Sequence, residues 1–584
     1  IPILFMEGLL GRLFREFAVT IGVAVLISGA VALSMTPMMC SRLLKPTHNH
    51  GRVYQFFERI FDASRNFYGT TLRWSMRHRS LMLVGSAVVL VLIGVIYKMV
   101  PQGFIPRQDT GVVFGNTRAP EGITFPELER RQRMAAEIVQ KHPDVEAVMS
   151  TAGQGTGGTT GDNLGRLIVR LKPRNERKLT ADQVIQELRR PFAGGALGLR
   201  VFMSNPPSIN IGGLVGNADY QMVLQGSDLK TLYAEAQEFE TRLRESDFLR
   251  EVSTSLEIRN PEISINILRD RAAALGVSPQ QIETALYNAY GGRQISTLYG
   301  ATDQYLVLLE LEPRFQRDIN ALRSLYVQSS TGRMVPIYAV ADVSMGVGPV
   351  SVSHYGQLTS VVISFNLAPG VSIGDAVSRL EQMAGESLPS GVSAKMVGSA
   401  KAFQDAFRAL PILLLITILV IYMVLAILYE HYAHPVTILT ALPFAGFGAL
   451  LVLLLFGMEL NIFSFVGIIL LVGLVKKNGI MMVDFALQLQ REKGLPPQEA
   501  IIEACLIRFR PIMMTTLAAI CAALPLAFGA GTGSEMRQPL GIAVVGGLLF
   551  SQMLTLYVTP TFFASMERVV GFYRQRHPVE AVGR

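Results

Sequence analysis

Metal-binding and disulfide-forming residues are scarce in this sequence: three cysteines, eight histidines and one tryptophan in 584 residues. Cys40, Cys505 and Cys521 fall in or beside apolar runs and share no paired spacing, which argues against a disulfide framework and against a zinc site. His48 and His50 stand in a polar stretch with no further ligands beside them, so no metal is expected. No Ser/His/Asp or Cys/His constellation stands out, so covalent chemistry, an enzymatic role and a bound cofactor are not expected. Charge is also sparse, at 17% of residues against 50% hydrophobic, which excludes intrinsic disorder. The formal net charge is +8, but the cations gather beside apolar runs as membrane topology requires, and no nucleic-acid partner is expected. The sequence has no initiator Met and no signal peptide. It opens on an apolar IPILFMEGLLG that reads as the end of a helix already under way, so a fragment lacking its N-terminal part is expected.

Long apolar runs are what the sequence does have. Phe17–Met38, Leu81–Val100, Ala409–Tyr429, Val436–Phe456, Phe463–Leu487, Pro511–Ala530 and Pro539–Phe563 are each long enough to cross a bilayer. The stretches 41–80 and 488–510 and the tail from Arg568 read as basic loops, which belong on the cytoplasmic side. Seven spans then place residues 101–405 outside the cytoplasm. That region shows soluble α/β periodicities. A strand at Gly111–Arg118, a helix at Phe125–Lys141, strands at Val145–Thr151 and Leu167–Leu171, a helix at Ala181–Arg190 and a strand at Leu199–Ser204 give βαββαβ, the split βαβ unit. The rhythm restarts at Tyr220–Gln225 and resumes at Val361–Asn366, split by an insertion near 260–352. The fold class expected is therefore a polytopic α-helical membrane protein with two ferredoxin-like α+β subdomains and an inserted third. Its divisions are 1–100, 101–205, 206–259 with 353–405, 260–352, and 406–584.

Two features carry possible function. Gly153, Gly155, Gly157, Gly158 and Gly161 make a glycine-rich loop between two strands. No Lys follows and no helix opens there, so phosphate binding is disfavoured and a mobile loop beside a substrate path is the functional reading. The second feature is Lys476-Lys477-Asn478, just past the middle of an apolar span. A cation at that depth costs at least ~2.5–3.5 kcal/mol and needs a partner or a water path. The other spans hold no acid in their interiors. Either the lysines are neutral, or they snorkel, or their carboxylates lie on a segment absent from this chain. A Lys beside titratable acids would be a proton switch able to rock packed helices.

The run Gly473-Leu474-Val475-Lys476-Lys477-Asn478-Gly479-Ile480, the later Arg508-Phe509-Arg510-Pro511-Ile512-Met513-Met514-Thr515-Thr516, and Phe14-Arg15-Glu16-Phe17 with Thr36-Pro37-Met38-Met39 resemble the resistance-nodulation-division (RND) drug exporters. The likeness is greatest to the hydrophobe/amphiphile branch and its Mdt B/C-type subunits, and the chain resembles their C-terminal half. The resemblance implies a trimer, of one subunit type or two, in the bacterial inner membrane. It implies proton-gradient-driven export of small amphiphilic compounds, with a periplasmic adaptor, an outer-membrane channel and membrane lipid as partners. It also implies a relay in which Lys477, Asn478, Arg508 and Thr515 face two aspartates upstream of Ile1. The two split βαβ units resemble periplasmic porter subdomains, and 260–352 resembles the docking subdomain. Met149, Gln154, Thr156 and Ile168 fall where well-known pumps of the family place pocket phenylalanines, so a narrower or more amphiphilic substrate set is expected. Two alternatives are metal-ion efflux, because Met38-Met39, Met481-Met482 and Met513-Met514 supply soft ligands, and a non-transporting scaffold of the same fold.

Overall fold

Seven helices among the described residues are long and apolar enough to cross a membrane. The computed structural model describes residues 8–43, 52–154, 160–192, 197–206, 218–256, 258, 260–316, 318–349, 351–529, 531 and 533–576. The chain begins with α1 (Gly8–Leu43), α2 (Arg52–Arg77) and α3 (Arg79–Met99). Of these α1 and α3 are long and apolar enough to span, whereas α2 is strongly amphipathic. The stretch 41–80, expected as a basic loop, therefore contains a 26-residue helix. Its arginines are spaced so that Tyr68, Leu72, Ser75 and Met76 share one buried face, and that face carries the helix onto the bundle.

The first α+β unit runs β1 (Val112–Arg118), α4 (Phe125–Gln140), β2 (Val145–Gln154), β3 (Thr160–Leu171), α5 (Ala181–Phe192), β4 (Arg200–Ser204). Its sheet is antiparallel in the order β2-β3-β1-β4. Alternation along β1 buries Val113, Gly115 and Thr117, and Leu128, Ala135 and Val139 of α4 are buried too. The second unit begins with β5 (Tyr220–Gly226), α6 (Leu229–Glu245) and β6 (Leu249–Thr254). Then comes the insertion: β7 (Asn260–Ile267), α7 (Arg269–Ala274), α8 (Pro279–Tyr290), β8 (Arg293–Tyr299), β9 (Gln304–Leu309), α9 (Pro313–Gln316), β10 (Tyr326–Gln328), β11 (Met334–Pro336), α10 (Ile337–Val340) and β12 (Ala341–Gly348). The second unit resumes with β13 (His354–Tyr355), β14 (Leu358–Leu367), α11 (Ile373–Ser387) and β15 (Val392–Val397). Its sheet has β14 and β15 flanking β5, with β6 and β13 on β14. Matching β1 to β5, β2 to β6, β3 to β14 and β4 to β15, the two sheets have one strand order, so the α+β part repeats a single topology.

Residues 120–123 and 256–352 form a separate compact unit. Its core is Ala272, Val277, Ile282, Val327, Val335, Ile337, Val340 and Ala341, and it contains the β7–β12 pair and the β8–β9 hairpin. The remainder of the chain forms the other unit.

Ion pairs tie the two sheets of that larger unit together. Arg107 lies 2.7 Å from Asp219 and 3.7 Å from Asp182. Arg189 sits 2.8 Å from Glu251, whose carboxylate also accepts from Asn366 Nδ2 at 2.6 Å. Burial pushes Asp219 and Glu251 above the usual carboxylate range, opposed by Arg107 and Arg189 respectively.

The second membrane block is α12 (Gly398–Tyr429), α13 (Ala433–Leu439), α14 (Leu442–Leu455), α15 (Ile462–Lys493), α16 (Pro497–Phe528) and α17 (Ser534–Arg576). The run expected as one span, Val436–Phe456, falls in the span-length stretch Ala433–Leu455, which is divided at 440–441 into α13 and α14 just ahead of Pro443. The stretch 488–510, expected as a loop, is mostly helical: α15 continues to Lys493 and α16 starts at Pro497. Charged residues end a membrane span but not a helix, which is free to continue into water.

The extramembrane and membrane parts meet at a backbone pairing. Leu460 N–H donates to Pro101 O at 2.8 Å, Gly103 N–H to Leu460 O at 3.1 Å and Ile462 N–H to Phe104 O at 3.2 Å. The start of α15 is thereby fixed to the strand-like segment leaving α3.

Candidate functional site

The site is built on α15, which starts where its sequence says it should. Asn461 Oδ1 accepts from Ser464 N–H at 3.0 Å, and Ser464 Oγ accepts from Asn461 N–H at 2.8 Å, a reciprocal capping box. Gly494 closes the helix at φ +64°. Between these ends the helix has two faces. Val475, Asn478, Gly479, Met482, Val483, Ala486 and Leu489 are buried; Gly473, Leu474, Lys477, Asp484 and Gln488 are exposed. At about 100° per residue the exposed set falls within an arc of about 100°. Lys477 and Asn478 are neighbours in sequence and so lie on different faces.

Asn478 belongs to a buried polar knot joining three helices. Its Nδ2 donates to Gln552 Oε1 on α17 at 2.9 Å and to Thr516 Oγ1 on α16 at 3.3 Å. Thr516 Oγ1 donates to the same Gln552 oxygen at 2.7 Å, and Gln552 Nε2 reaches Met513 Sδ at 3.4 Å. Asn478, Thr516 and Gln552 are 7%, 5% and 8% exposed. Buried between the helices, these amides and the hydroxyl satisfy one another and fix the rotation of α15, α16 and α17.

The cations lie outside the knot. Lys477 is exposed and Lys476 half-buried, and among the described residues neither forms an ion pair. The guanidinium of Arg508 stacks 4.4 Å over the Phe485 ring on α15, and its buried Nε–H has no acceptor among the described residues. Thr515 is half-buried and returns its hydroxyl to Ile512 O at 3.1 Å. Arg510, two residues past Arg508, instead meets Glu58 of α2 at 3.1 Å. Of the four relay candidates, then, only Asn478 is in the knot; Lys477, Arg508 and Thr515 are on or near the less covered side of the same helices. Thr516 and Gln552, missed from the sequence, are polar side chains inside the apolar runs Pro511–Ala530 and Pro539–Phe563. That polarity is the signal that could have found them.

The extramembrane candidates divide likewise. Met149 and Ile168 are cross-strand partners on β2 and β3, and Ile168 is opposite Phe114 on β1. Met149 is 60% exposed, and Ile168 and Phe114 are half-buried, on the sheet face away from the buried Gly115 and Leu167. Arg166 sits 4.7 Å over the Phe114 ring. Phe114, missed from the sequence, thus supplies an aromatic in this row. Gln154 ends β2, but its side chain and all of Thr156, Gly155, Gly157 and Gly158 lie outside the described residues, as does burial at Gly161. Gly153 has φ +79°, and a Cβ there would lie 3.3 Å from the exposed Phe125 ring. The methionine pairs do not converge on one path: Met482 packs against Cys505 in the core while Met514 is exposed.

A sequence profile of the AcrB/AcrD/AcrF family matches residues 1–567. The chain belongs to this family. Its span-length apolar helices and paired α+β units fit the AcrB-type RND fold. Among curated proteins it is 41% identical, over 97% of its length, to the multidrug resistance protein MdtC of Klebsiella pneumoniae. It is 42% identical over 97% of its length to MdtC of Escherichia coli strains UTI89 and ED1a. In each case the match covers 55% of the relative, so the chain spans about half the length of the curated relatives it matches.

Proposed function

We propose that this chain is part of a proton-driven antiporter subunit that exports drugs or other amphiphilic compounds. It would act in the bacterial inner membrane, with 101–405 in the periplasm, as a member of a trimer working with a periplasmic adaptor and an outer-membrane channel. The MdtC relatives are named multidrug resistance proteins, which supports the substrate class. The observation that carries the mechanism is the adjacency of Lys477, exposed and without an ion pair among the described residues, to Asn478, locked into the knot across α16 and α17.

In this reading a carboxylate from outside the described residues faces Lys477 and Arg508. Protonating it releases the lysine; deprotonating it draws the lysine back. Because Asn478 is the next residue, rotation of α15 that follows Lys477 is transmitted through Gln552 and Thr516 to α16 and α17. The fixed pairing of Leu460 and Ile462 with 101–104 then passes the motion to the α+β units. Drug would pass along the Met149–Ile168–Phe114 row, beside the loop that begins at Gly153. No cofactor is required beyond the proton gradient.

The test is drug efflux and proton uptake by the intact transporter with Lys477→Ala and, as a neighbour control, Lys476→Ala. The expected result is loss of both activities with Lys477→Ala at normal expression, and retention of most activity with Lys476→Ala. Normal efflux with Lys477→Ala would leave the proton-driven reading without its engine. A scaffold subunit would tolerate both substitutions.

A further inference from the structure

The amphipathic helix α2 has three faces, and only one is accounted for by the bundle. The buried face holds Tyr68, whose hydroxyl donates to Leu556 O at 2.8 Å and whose ring stacks 4.9 Å from Phe509, together with Leu72, Ser75 and Met76. The second face holds Phe56, Ile60, Phe67 and Trp74, which are 60%, 46%, 70% and 51% exposed. At about 100° per residue these four fall within about 40° of one another, although they extend along most of the helix. The third face, on the side of this stripe away from the bundle, holds Arg52, Arg59, Arg73 and Arg77, all exposed. Among the described residues none of these arginines forms an ion pair. Of the helix's two acids, Glu58 is engaged by Arg510 at 3.1 Å, which leaves Asp62.

Scattered exposed apolar residues need no explanation, but three aromatics and an isoleucine aligned along one helix face do. The order round the helix is bundle, aromatic stripe, arginine flank. A helix lying flat at a membrane surface needs this order: rings enter the acyl boundary, and guanidiniums stay level with the headgroups. A neutral surface would satisfy the rings but not the arginines. Four guanidiniums against the single remaining acid, Asp62, favour phosphodiester oxygens, which match their donor geometry.

We infer that α2 is a docking surface for anionic phospholipid headgroups of the inner leaflet, held by Arg52, Arg59, Arg73 and Arg77 beside the Phe56–Trp74 stripe. The site selects lipid by charge and holds α2 against both bilayer and bundle.

Trp74 is the only tryptophan in the chain and lies in the stripe, so it reports directly. The 584-residue chain is reconstituted in phosphatidylcholine bilayers containing phosphatidylglycerol, with bromine on the acyl chains of one lipid or the other. Quenching of Trp74 by brominated phosphatidylglycerol should exceed that expected from its mole fraction by about fivefold or more, the gain from a single arginine near an anionic surface. Added salt should reduce that excess in the unaltered chain. The triple variant Arg59→Gln, Arg73→Gln, Arg77→Gln changes only exposed side chains; it should abolish the excess and leave thermal unfolding unchanged. Quenching in proportion to mole fraction would overturn the headgroup selectivity. No quenching by either lipid would overturn the docking surface altogether, because the stripe would then be covered by protein.

Discussion

Gln552 is the sharpest place to perturb the membrane core without touching a charge. Its Oε1 accepts from both Asn478 Nδ2, at 2.9 Å, and Thr516 Oγ1, at 2.7 Å. Gln552→Leu keeps a similar volume, so the cavity contribution is small and the two lost hydrogen bonds dominate. In a water-soluble core each orphaned buried group would cost ~1–3 kcal/mol. Within a membrane the measured worth of such bonds averages ~0.6 and reaches ~1.7 kcal/mol, because the unfolded chain also finds partners. Two bonds therefore predict a loss of about 1–3 kcal/mol. Asn478→Leu should cost a similar amount. The double variant should cost less than the sum by more than ~0.5 kcal/mol, since the second substitution removes a group the first had orphaned. Thr516 is then free to bond the carbonyl one turn back. The assay is a double-mutant cycle on the chain in mixed lipid–detergent micelles, with unfolding by a denaturing detergent followed by circular dichroism. Additivity within ~0.3–0.5 kcal/mol would show that the three side chains do not act as one unit, and the transmission argued for α15 would lose its basis.

Three further outcomes are expected. Asp109 is pushed up by burial, but Arg177 and the backbone N–H groups of Ala181 and Gly111 outweigh this and hold it below the usual carboxylate range. Its contribution to stability is thus fully present above the usual carboxylate pKa and lost as pH falls through the depressed one. Asp109→Ala should remove that acid-dependent part and, because Arg177 is 1% exposed, cost ~3–5 kcal/mol in thermal unfolding of the α+β region. A Cβ on Gly546 would fall 2.6 Å from Val452 Cβ and 2.9 Å from Gly448 O, so Gly546→Leu should force α14 and α17 apart and lower stability by ~1–3 kcal/mol or more. Stability equal to the parent in the same micelle assay would contradict the close approach. Gln154→Phe in the intact transporter should widen the substrate range toward cationic dyes, because an aromatic face adds apolar area and cation–π attraction beside the glycine-rich loop. An unaltered range would count against a pocket at that position.

Much of the architecture was legible because the physics that sets it is local. Apolar runs of about 20 residues leave a membrane helix few alternatives, and each expected run overlaps a helix long enough to span. The βαββαβ rhythm was legible because period 2 and period 3.6 differ strongly over ten residues. Helix ends were less so. Composition changes where the bilayer stops, whereas α15 and α16 run on past it, to Lys493 and from Pro497. Helix α2 was hidden for a related reason: its buried side chains, Tyr68, Leu72, Ser75 and Met76, are embedded among arginines, and the average over 41–80 reads as polar.

The candidate site shows the limit of reading single residues. Lys477 announces itself, since a cation among apolar residues is conspicuous in any window. Asn478, Thr516 and Gln552 are individually ordinary and lie 38 and 36 residues apart. Only the packing of three helices turns them into one polar centre. In the proposed mechanism the conspicuous lysine and the inconspicuous amide depend on each other. A charge that moves does work only if the helix carrying it is gripped, and a neutral hydrogen-bonded knot grips without competing for the proton. Under that proposal, this division of labour would account for the charge on the exposed face of α15 and the neutral side chains on the buried one. It also explains why exchanging the two, Lys477→Asn with Asn478→Lys, should fail even though composition, charge and helix propensity are unchanged. A buried ammonium would face Gln552 and Thr516, which offer no carboxylate, and the amide would face outward with nothing to hold.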